Sequence, residues 1–463
     1  MKEKILQKIK DDEIIFILRK ILKDCKNVYL VGGAIRDYAL GSVPKEYDFV
    51  TEKAQEVALY VAKKLKVKSF GLGKNSEQIH RISLGEGGLD FSSIKNETIE
   101  TNLKKRDFTV DSIGVVLHTF EICDPSQGIK DIEKRILKMT YKDSFSDDPL
   151  RILKGFRLIS YYPQLKWEIK TKEKVKELAP LIEKIPKERI KTELSKILLS
   201  KNCTNTLKSM FKENVLELIF PFVKGLNNVI QTFPHKSDVL SHTFEILELL
   251  DENISFSQNL IFVNFSQKDL IKLRLAILFH DSGKKECVLE EQNRIHFYGH
   301  EKISAKIAKE NLLKLRYSKE MAYAVSHLCQ LHLRPLFLFN DKNASTYSKR
   351  RLIRKAGDDF PLLVMLSFLD FSSKHKTDKE IADYYLFCEQ LYSLYEKERD
   401  TILSPPKLID GISAMKIVGL EKAGPELGKI MKSLRQEQVD GKIKTKEEAI
   451  KFLKKYKNKI VKE

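Results

Sequence analysis

Val28-Tyr-Leu-Val-Gly-Gly-Ala-Ile-Arg-Asp37, followed by Glu46-Tyr-Asp-Phe-Val-Thr51, is the stretch that decides the fold of this chain. Residues 28–31 form a short apolar run of β-branched and aromatic side chains, which predicts a buried strand. Gly32 and Gly33 end this strand, and a predicted helix follows them. Two glycines let the backbone turn tightly and approach a phosphate, because no Cβ stands in the way. The pattern therefore predicts a strand, a phosphate-binding turn and a helix.

The second strand of this stretch carries Glu46 and Asp48. Residues i and i+2 of a strand point to the same face, so both carboxylates share one face beside the glycine turn. Such a pair suits a hard divalent cation that also touches phosphate. Residues 67–91 are strand-like with glycine punctuation, and Asp90 among them is a candidate third carboxylate. The alternatives are a solvated acidic edge for the pair and a turn at the end of a strand for Asp90.

The size and composition of the chain exclude several classes of protein. Its 463 residues predict two to four domains, and 42% hydrophobic residues suffice for packed cores. There is no apolar run long enough to span a membrane and no signal-peptide h-region at the start, so we expect no membrane partner. Six scattered cysteines without a C-x-x-C pair argue against a zinc ribbon or a disulfide framework and predict a cytoplasmic location.

The net charge of +19 predicts a polyanionic partner, most simply nucleic acid. The alternative is a generally lysine-rich composition without functional meaning. A basic cluster at residues 103–112 contains Lys105, Arg106 and Asp107. Its cations could meet a triphosphate, although a cluster of this kind also occurs as a solvated edge.

A second charged segment, residues 145–157, places Asp148, Arg151, Lys154 and Arg157 at i, i+3 spacing. One helix face would then carry an acid and three cations. An aspartate and an arginine together offer an acceptor and forked donors, which can imitate the Watson–Crick edge of a base. The alternative is helix capping by the two aspartates before Pro149, with salt bridges along the face.

A third constellation lies in residues 235–375 and has the chemistry of a metal centre. It consists of His242, His280, Asp281, His300, His332 and Asp370. Adjacent His280 and Asp281 follow a predicted buried helix and can bind one metal ion with His242 and Asp370, while His300 and His332 could serve a second. Histidine with carboxylate suits Mn, Fe, Ni, Co or Zn better than Ca. Any one of these histidines could be structural, and His235, His296 and His327 are left unassigned.

The other segments are predicted to be mainly helical. Residues 1–25 predict one amphipathic helix, and residues 172–220 are helical throughout. After residue 376 the pattern is helical and polar. There a glycine turn at Gly424 precedes a basic helix, which could grip a phosphate backbone or could be an ordinary surface helix.

Several of these motifs, in this order, resemble those of the class II CCA-adding enzymes and bacterial poly(A) polymerases. They are Gly32-Gly33-x-x-Arg36-Asp37, Glu46-x-Asp48, Lys105-Arg106-Asp107-Phe-Thr109, and Asp147-Asp148-Pro-Leu-Arg151 with Arg157. Residues 188–194 resemble the neck helix of that family and residues 424–449 the tail of its bacterial members. The histidine and aspartate set resembles an HD domain, which many bacterial members carry.

The resemblance implies an α+β architecture. A head at residues 1–140, with a mixed or antiparallel sheet and helices, would have the nucleotidyltransferase fold of the DNA polymerase β type. All-helical regions would follow: a neck at 141–225 for base recognition and RNA binding, an HD domain at 226–385, and a tRNA-binding tail at 386–463.

The activity that the resemblance implies is template-independent addition of C, A or both, from CTP and ATP, to the 3′ end of tRNA. Glu46 and Asp48 would hold two Mg²⁺ ions, with Asp90 as the third catalytic carboxylate. The predicted nucleotide-binding residues are Gly32, Gly33, Arg36, Lys105, Arg106, Asp107, Asp148, Arg151, Lys154 and Arg157. The HD residues would bind Ni²⁺, Mn²⁺, Fe²⁺, Co²⁺ or Mg²⁺, and the tail would contact the tRNA elbow.

The chain departs from the usual family pattern at several positions. Glu46 stands where the family usually has aspartate, and lysine replaces arginine at 105 and 154. Only about ten residues separate the segment after Asp90 from the basic cluster, where full CCA-adding members often have a longer loop. A CC-adding or A-adding specialist and a poly(A) polymerase therefore remain alternatives. An HD-type phosphohydrolase, as the main or a second activity, and a non-catalytic RNA-binding protein are alternatives of other classes.

Overall fold

The computed structural model describes residues 1–72, 79–85, 87–94, 96–232, 237–255, 266–292 and 294–460. Residues 73–78 and 86 of the strand-like region predicted at 67–91, and the unassigned His235, lie outside this description. The chain divides into two compact units, Met1–Ile219 and Phe220–Glu463. No helix in the described part of the chain is long and apolar enough to cross a membrane.

The first unit combines strands with helices. Its strands are β1 Tyr29–Val31, β2 Glu46–Thr51, β3 Ser69–Leu72, β4 Ile79–Leu84, β5 Gly87–Ser93, β6 Gly114–Val116, β7 Ile122–Cys123, β8 Ile136–Leu137 and β9 Lys166–Trp167. Its helices are α1 Lys2–Asp11, α2 Glu13–Ile21, α3 Gly33–Leu40, α4 Ala54–Leu65, α5 Ile99–Lys104, α6 Gly128–Glu133, α7 Ser144–Asp147, α8 Leu150–Tyr161, α9 Ile169–Leu178, α10 Lys187–Leu199, α11 Cys203–Lys212 and α12 Val215–Ile219. Short 3₁₀ helices cover Thr109–Asp111 and Ala179–Lys184.

The main sheet of this unit is mixed, with the strand order β3-β4-β5-β2-β1-β6-β7. β2 and β5 run parallel, whereas the neighbouring pairs are antiparallel. On one face of the central pair, Phe49 and Phe91 are fully buried, with their ring centroids 5.1 Å apart. Because side chains alternate along a strand, Asp48 and Asp90 emerge on the other face. The predicted α+β class, with a mixed sheet in the head and helices after it, is confirmed.

The prediction of one helix over residues 1–25 is wrong, since the structure has two. Asp12 has an extended backbone between α1 and α2, and its Oδ1 accepts a hydrogen bond from Ile15 N. Its other oxygen accepts hydrogen bonds from the hydroxyls of Tyr38 on α3 and Tyr47 on β2, at 2.6 and 2.8 Å. Asp12 therefore links α3, the helix after the glycine turn, to β2, the strand that carries Glu46 and Asp48. Hydrophobic periodicity alone does not reveal the helix break at Asp12.

The second unit is built almost entirely of helices. They are α13 Val239–Ser255, α14 Gln267–Phe279, α15 His300–Lys314, α16 Lys319–Leu331, α17 Arg334–Asn340, α18 Thr346–Ala356, α19 Phe360–Ser372, α20 Asp378–Leu403, α21 Gly411–Val418, α22 Pro425–Val439 and α23 Lys446–Ile460. Its strands are β10 Leu289–Glu291 and β11 Arg294–His296, and short 3₁₀ helices cover Pro221–Val223, Leu226–Asn228, Lys284–Cys287 and Gly357–Asp359.

Two helices form the centre of this unit. Residues 272–279 of α14 and residues 362–371 of α19 are buried in unbroken runs, which is expected of helices that are surrounded on all sides. The last helices, α21 to α23, pack around a small core of their own that includes Ile430, Leu434 and Leu453.

Candidate functional site

The glycine turn brings the backbone against a basic side chain. Gly32 has φ +73°, a left-handed conformation that favours glycine. A Cβ at this position would lie 2.3 Å from Nη1 of Arg106, which is closer than two such atoms can approach. The first predicted motif and the basic cluster are therefore neighbours in the fold.

Three carboxylates share one face of the central β2–β5 strand pair, beside this turn. The β2–β5 register places Asp48 directly opposite Asp90, and Glu46 lies two residues earlier on the same face of β2. Glu46 is the outermost, with 61% of its side chain exposed, against 19% for Asp90. We call Glu46, Asp48 and Asp90 the carboxylate trio.

Burial and mutual repulsion raise the pKa values of the inner members of the trio. Burial raises the pKa of Asp48, with Glu46 adding to the effect and Arg106 opposing it. Burial also raises the pKa of Asp90 to about 6, where Arg81 opposes the effect and Asp48 and Glu46 increase it. Oδ1 of Asp90 is buried and accepts no hydrogen bond from the described residues. Three carboxylates on one face of two paired strands, one of them with an unsatisfied buried oxygen, have the oxygen chemistry that Mg²⁺ prefers.

Arg81 is a member of this site that the sequence analysis missed. It lies on β4 directly opposite Asp90 of β5. Its Nη2 forms a hydrogen-bonded ion pair with Oε1 of Glu46, and its Nε lies 3.6 Å from Oδ1 of Asp90. A cation therefore lies between two members of the carboxylate trio.

Arg36 is anchored in a network of its own. Its Nη1 donates to Oδ1 of Asp111 at 2.5 Å, and its Nη2 donates to Oδ1 of Asp37 at 2.6 Å. The hydroxyl of Tyr162 donates to the same Asp37 oxygen at 2.6 Å. Arg36 is 8% exposed, and these partners hold its guanidinium at the wall of the cleft described below.

Asp107 forms ion pairs with two of the cations of the charged segment, both on α8. Arg151 Nε lies 2.7 Å from its Oδ1, and Lys154 Nζ donates to its Oδ2 at 2.7 Å. Arg151 also donates to the carbonyl oxygen of Lys105 and to Oγ of Ser144, both at 2.9 Å. The basic cluster and the charged segment after it are thus joined, although Asp107 and Lys154 are 47 residues apart in sequence.

Asp148 and Arg151, the predicted base-selecting pair, have separate partners. Asp148 Oδ2 accepts from Arg189 Nη2 of α10 at 2.8 Å, while Arg151 binds Asp107. Of the two aspartates that could cap the helix, Asp148 accepts a hydrogen bond at 3.3 Å from the backbone N–H of Leu150, the first residue of α8. Asp147 lies outside this helix, as the last residue of α7.

The fourth residue of this segment, Arg157, binds the neck helix. Its Nε donates to Oε2 of Glu193, a buried residue of α10, at 2.7 Å. This contact joins α8 to α10. The ion pair between Arg189 and Asp148, which lies just before α8, joins α10 to the start of the same segment.

A cleft of about 780 Å³ within the first unit is lined by several of these groups, but Asp90, Asp148 and Arg151 are not among its lining residues. Its lining includes Glu46, Asp48, Arg106, Asp107, Lys154 and Lys196. Carboxylates and cations therefore line the same cleft, as a metal-dependent reaction on a polyphosphate requires.

Asp90→Asn is expected to raise the stability of the metal-free protein at pH 7. The folded state holds the proton of Asp90 up to about pH 6, against an ordinary value of 3.8. The folded wild type therefore loses stability relative to the variant as the pH rises from about 4 through 6. Thermal melts in a chelator should show a gain of about 2–4 °C for the head at pH 7 and none near pH 3.5. A lower melting temperature at both pH values would contradict this expectation.

The second unit gathers the predicted histidines and aspartates into one buried centre. His242 lies on α13, His280 and Asp281 follow α14, His300 begins α15, His332 follows α16, and Asp370 lies on α19. Within each of two groups, His242–His280–Asp370 and Asp281–His300–His332, the potential ligand atoms lie within 4.8 Å of one another. We call these six residues the HD cluster.

Asp281 joins the two groups. Its Oδ1 lies 3.1 Å from Nε2 of His300 and 3.8 Å from Nε2 of His332. Its Oδ2 lies 3.2 Å from Nε2 of His280 and 3.8 Å from Nε2 of His242. One carboxylate therefore faces both candidate metal positions, as a bridging ligand does.

Backbone contacts set the tautomers of three histidines. Nδ1 of His280, His300 and His332 lies 2.7 Å from the carbonyl oxygens of Ile277, Phe297 and Cys329, respectively. Because a carbonyl can only accept, each Nδ1 carries a proton, and Nε2 of each ring faces the centre as the potential metal ligand. Burial lowers the pKa of His332 to about 3 and lowers that of His242 also, which favours the neutral, metal-binding form.

Two buried lysines form ion pairs with the aspartates of the HD cluster. Lys284 Nζ lies 2.6 Å from Asp281 Oδ2, and Lys374 Nζ lies 2.8 Å from Asp370 Oδ2. Burial alone would raise the pKa values of both aspartates, but His280 and Lys284 hold that of Asp281, and Lys374 that of Asp370, well below the ordinary range. Both carboxylates are therefore ionised. The Nε2 atoms of His280 and His300 are buried and form no hydrogen bond with the described residues, which fits the donor set of a metal centre.

Family models match three parts of the chain. Residues 28–138 match a "Poly A polymerase head domain", residues 165–226 a "Probable RNA and SrmB- binding site of polymerase A", and residues 239–360 an "HD domain". The first match contains the carboxylate trio, and the third contains the HD cluster except Asp370. Domains of the head and HD types are typically metal-dependent.

Relatives match over most of the chain. A CC-adding tRNA nucleotidyltransferase of Thermus thermophilus is 27% identical, covering 92% of this chain and 93% of its own. An A-adding tRNA nucleotidyltransferase of Deinococcus radiodurans is 25% identical, covering 92% and 95%. Among solved structures, a CCA-adding enzyme in complex with CTP is 19% identical and superposes with a TM-score of 0.63, covering 97% and 96%.

Fold, carboxylate trio and HD cluster together define a chain with a nucleotidyltransferase head, a helical RNA-binding region and an HD domain. The chain belongs to the family of class II CCA-adding enzymes and bacterial poly(A) polymerases, in the form that carries an HD domain.

Proposed function

We propose that this protein is a tRNA nucleotidyltransferase that adds C, A or both, from CTP and ATP, to the 3′ end of tRNA, with release of pyrophosphate. The observation that carries the proposal is the carboxylate trio, which the β2–β5 register sets on one face of the sheet. Glu46 and Asp48 of the trio line a cleft that also contains Arg106 and Lys154. The names of the relatives, CC-adding and A-adding tRNA nucleotidyltransferase, support the same substrate class.

The carboxylate trio would hold two Mg²⁺ ions, which lower the pKa of the attacking 3′-hydroxyl and neutralise charge on the leaving pyrophosphate when bound. The missing Cβ of Gly32 lets the guanidinium of Arg106 lie against the backbone of the glycine turn, where it would supply a cation to a phosphate group. Arg36 is fixed by Asp37 and Asp111, so it is already oriented before a nucleotide enters.

Base selection is assigned to Asp148 and Arg151, through acceptor and donor groups instead of a template. In the structure, the carboxylate of Asp148 forms an ion pair with Arg189, and the guanidinium of Arg151 forms one with Asp107. These partners restrain both side chains and leave each with further hydrogen-bonding capacity. Lys154, paired with Asp107, and Arg157, paired with Glu193, are neighbours on the same helix, α8, and line the cleft.

Asp148→Ala is expected to relax the choice of nucleotide. An aspartate accepts from the exocyclic amino groups of cytosine and adenine, which uracil lacks, and one such contact discriminates by about 1–3 kcal/mol. The ratio of kcat/KM for CTP over UTP should therefore fall by about tenfold or more. Asp143→Ala, which removes an exposed carboxylate nearby, should leave the ratio unchanged. Unaltered discrimination in Asp148→Ala would remove this residue from base selection.

The identity of the added nucleotide is tested with tRNAs that lack CCA, CA or A at the 3′ end. A CCA-adding enzyme extends all three, a CC-adding enzyme extends the first two with CTP alone, and an A-adding enzyme extends only the third. Extension of any RNA with many adenosines would indicate a poly(A) polymerase instead.

The HD cluster supports a second, metal-dependent phosphohydrolase activity, on phosphomonoesters or 2′,3′-cyclic phosphates. Two ligand groups joined by Asp281 support a centre of two ions, with Ni²⁺, Mn²⁺, Fe²⁺, Co²⁺ or Mg²⁺ as the candidates. A centre of this kind activates water and polarises the phosphoryl group when loaded.

The remaining assignments follow from the same proposal. A net charge of +19 suits a tRNA partner, and the helices after residue 386, with their own core, are proposed to bind the tRNA elbow. We retain domain boundaries at 140, 225 and 385. A tRNA substrate supports a cytoplasmic location, which is part of the proposal.

A further inference from the structure

Arg81 reaches the carboxylate trio across a neighbouring strand. It is carried by β4, and β5 separates it from Glu46 on β2. The residue of β5 opposite Glu46 is Gly88. A Cβ at Gly88 would lie 3.4 Å from Nε of Arg81 and 2.7 Å from the carbonyl oxygen of Ile82. The glycine therefore keeps open the path along which the arginine side chain runs to Glu46.

The contact engages only one oxygen of the glutamate. Arg81 Nη2 binds Oε1 of Glu46, while Arg81 Nε stays 3.6 Å from Oδ1 of Asp90. The hydrogen bond to Glu46 raises the pKa of Arg81 further, so the arginine is always charged. A glutamate on a strand that is 61% exposed would otherwise have several rotamers available, and fixing one costs side-chain entropy.

We propose that Arg81 is a positioning residue that restrains Glu46 on the side of Asp48 and Asp90 and leaves its Oε2 available as a metal ligand. A glutamate has one more methylene than an aspartate, so its carboxylate needs an external restraint that a shorter side chain does not. Arg81 supplies that restraint through a planar fork with fixed donor directions. The inference rests on the proposed metal-binding role of the carboxylate trio.

The test is a double-mutant cycle on the full chain, read out as Mn²⁺ binding by the signal of free Mn²⁺ in electron paramagnetic resonance. Arg81→Lys keeps the positive charge and removes the fork, so any change reflects positioning and not charge. It should weaken Mn²⁺ binding by the head about tenfold, the size seen when residues that orient metal ligands are replaced. In a Glu46→Asp background, where the shorter side chain cannot reach Arg81, the same change should have less than a twofold effect.

Two results would overturn the inference. If Arg81→Lys weakens Mn²⁺ binding equally in the wild-type and Glu46→Asp backgrounds, the arginine acts on the fold and not through the glutamate. Tighter Mn²⁺ binding in Arg81→Met would show that Arg81 is a cation that competes with the metal ion. The HD cluster is intact in each of these variants, so its Mn²⁺ contribution cancels in the comparison.

Asp48→Asn separates failure of this inference from failure of the proposed function. If its Mn²⁺ isotherm equals that of the wild type, the head has no metal site and the proposed function fails. If Asp48→Asn loses a class of Mn²⁺ sites but the Arg81 cycle shows no coupling to Glu46, only the inference fails.

Discussion

Asp48→Asn is expected to reduce nucleotide addition to tRNA by about a thousandfold or more in kcat. Asp48 is the central member of the carboxylate trio, opposite Asp90 and two residues from Glu46. The amide keeps the shape of the side chain but carries no charge, so two divalent cations would lose their shared anionic ligand. Incorporation of labelled nucleotide under single-turnover conditions measures the effect on the chemical step.

The matched control for this prediction is Glu52→Gln. Glu52 is an exposed carboxylate directly after the end of the same strand, β2, and its replacement should change kcat by less than twofold. Because burial and Glu46 raise the pKa of Asp48, neutralising it should not destabilise the head. An Asp48→Asn variant that folds and adds nucleotides at more than a tenth of the wild-type rate would contradict the assignment.

Asp281→Asn is expected to reduce the rate of metal-dependent phosphoester hydrolysis by about a hundredfold or more and to leave nucleotide addition intact. Asp281 is the residue that faces both ligand groups of the HD cluster. Asparagine is preferable to alanine because Lys284, which is 5% exposed, would otherwise lose its acceptor and remain as an unpaired buried charge. Hydrolysis of a 2′,3′-cyclic phosphate, with metal content by mass spectrometry, measures both consequences.

His296→Ala provides the control for the HD cluster. His296 is a histidine of the same unit that stacks on Tyr298 and belongs to neither ligand group. Its replacement should leave hydrolysis and metal content unchanged. Hydrolysis that persists in Asp281→Asn, with unchanged metal content, would show that the HD cluster is not the hydrolytic centre.

Local sequence patterns were sufficient to predict the positions of the main chemical groups. Strand alternation placed Glu46 and Asp48 on one face, and apolar neighbours predicted a strand at Asp90, which the structure has. The HD residues could be found because histidine next to aspartate after an apolar run is uncommon. The sequence predicts Asp281 with His242, His280 and Asp370 at one metal ion, and His300 with His332 at a second. In the structure Asp281 groups with His300 and His332 and faces both positions, because contacts among five helices set the arrangement.

Contacts between distant segments could not be predicted in this way. Arg81 lies in a strand-like segment with no motif, and only the β4–β5 register brings it to the carboxylates. Arg189 was noted only as part of a helix, yet it pairs with Asp148 from 41 residues away. The break at Asp12 was missed because hydrophobic periodicity continues across it, while one aspartate can cap a helix and bind two tyrosines. Pairings of this kind depend on tertiary structure, which a single sequence does not display.

The most direct test of the central claim is incorporation of α-labelled CTP or ATP into tRNA that lacks CCA, CA or A, by the wild type and a Glu46→Ala/Asp48→Ala variant in parallel. The wild type is predicted to label the 3′ end of at least one of these tRNAs, and the variant none. Equal labelling by both proteins, or no labelling of any of the three tRNAs by the wild type, would contradict the account.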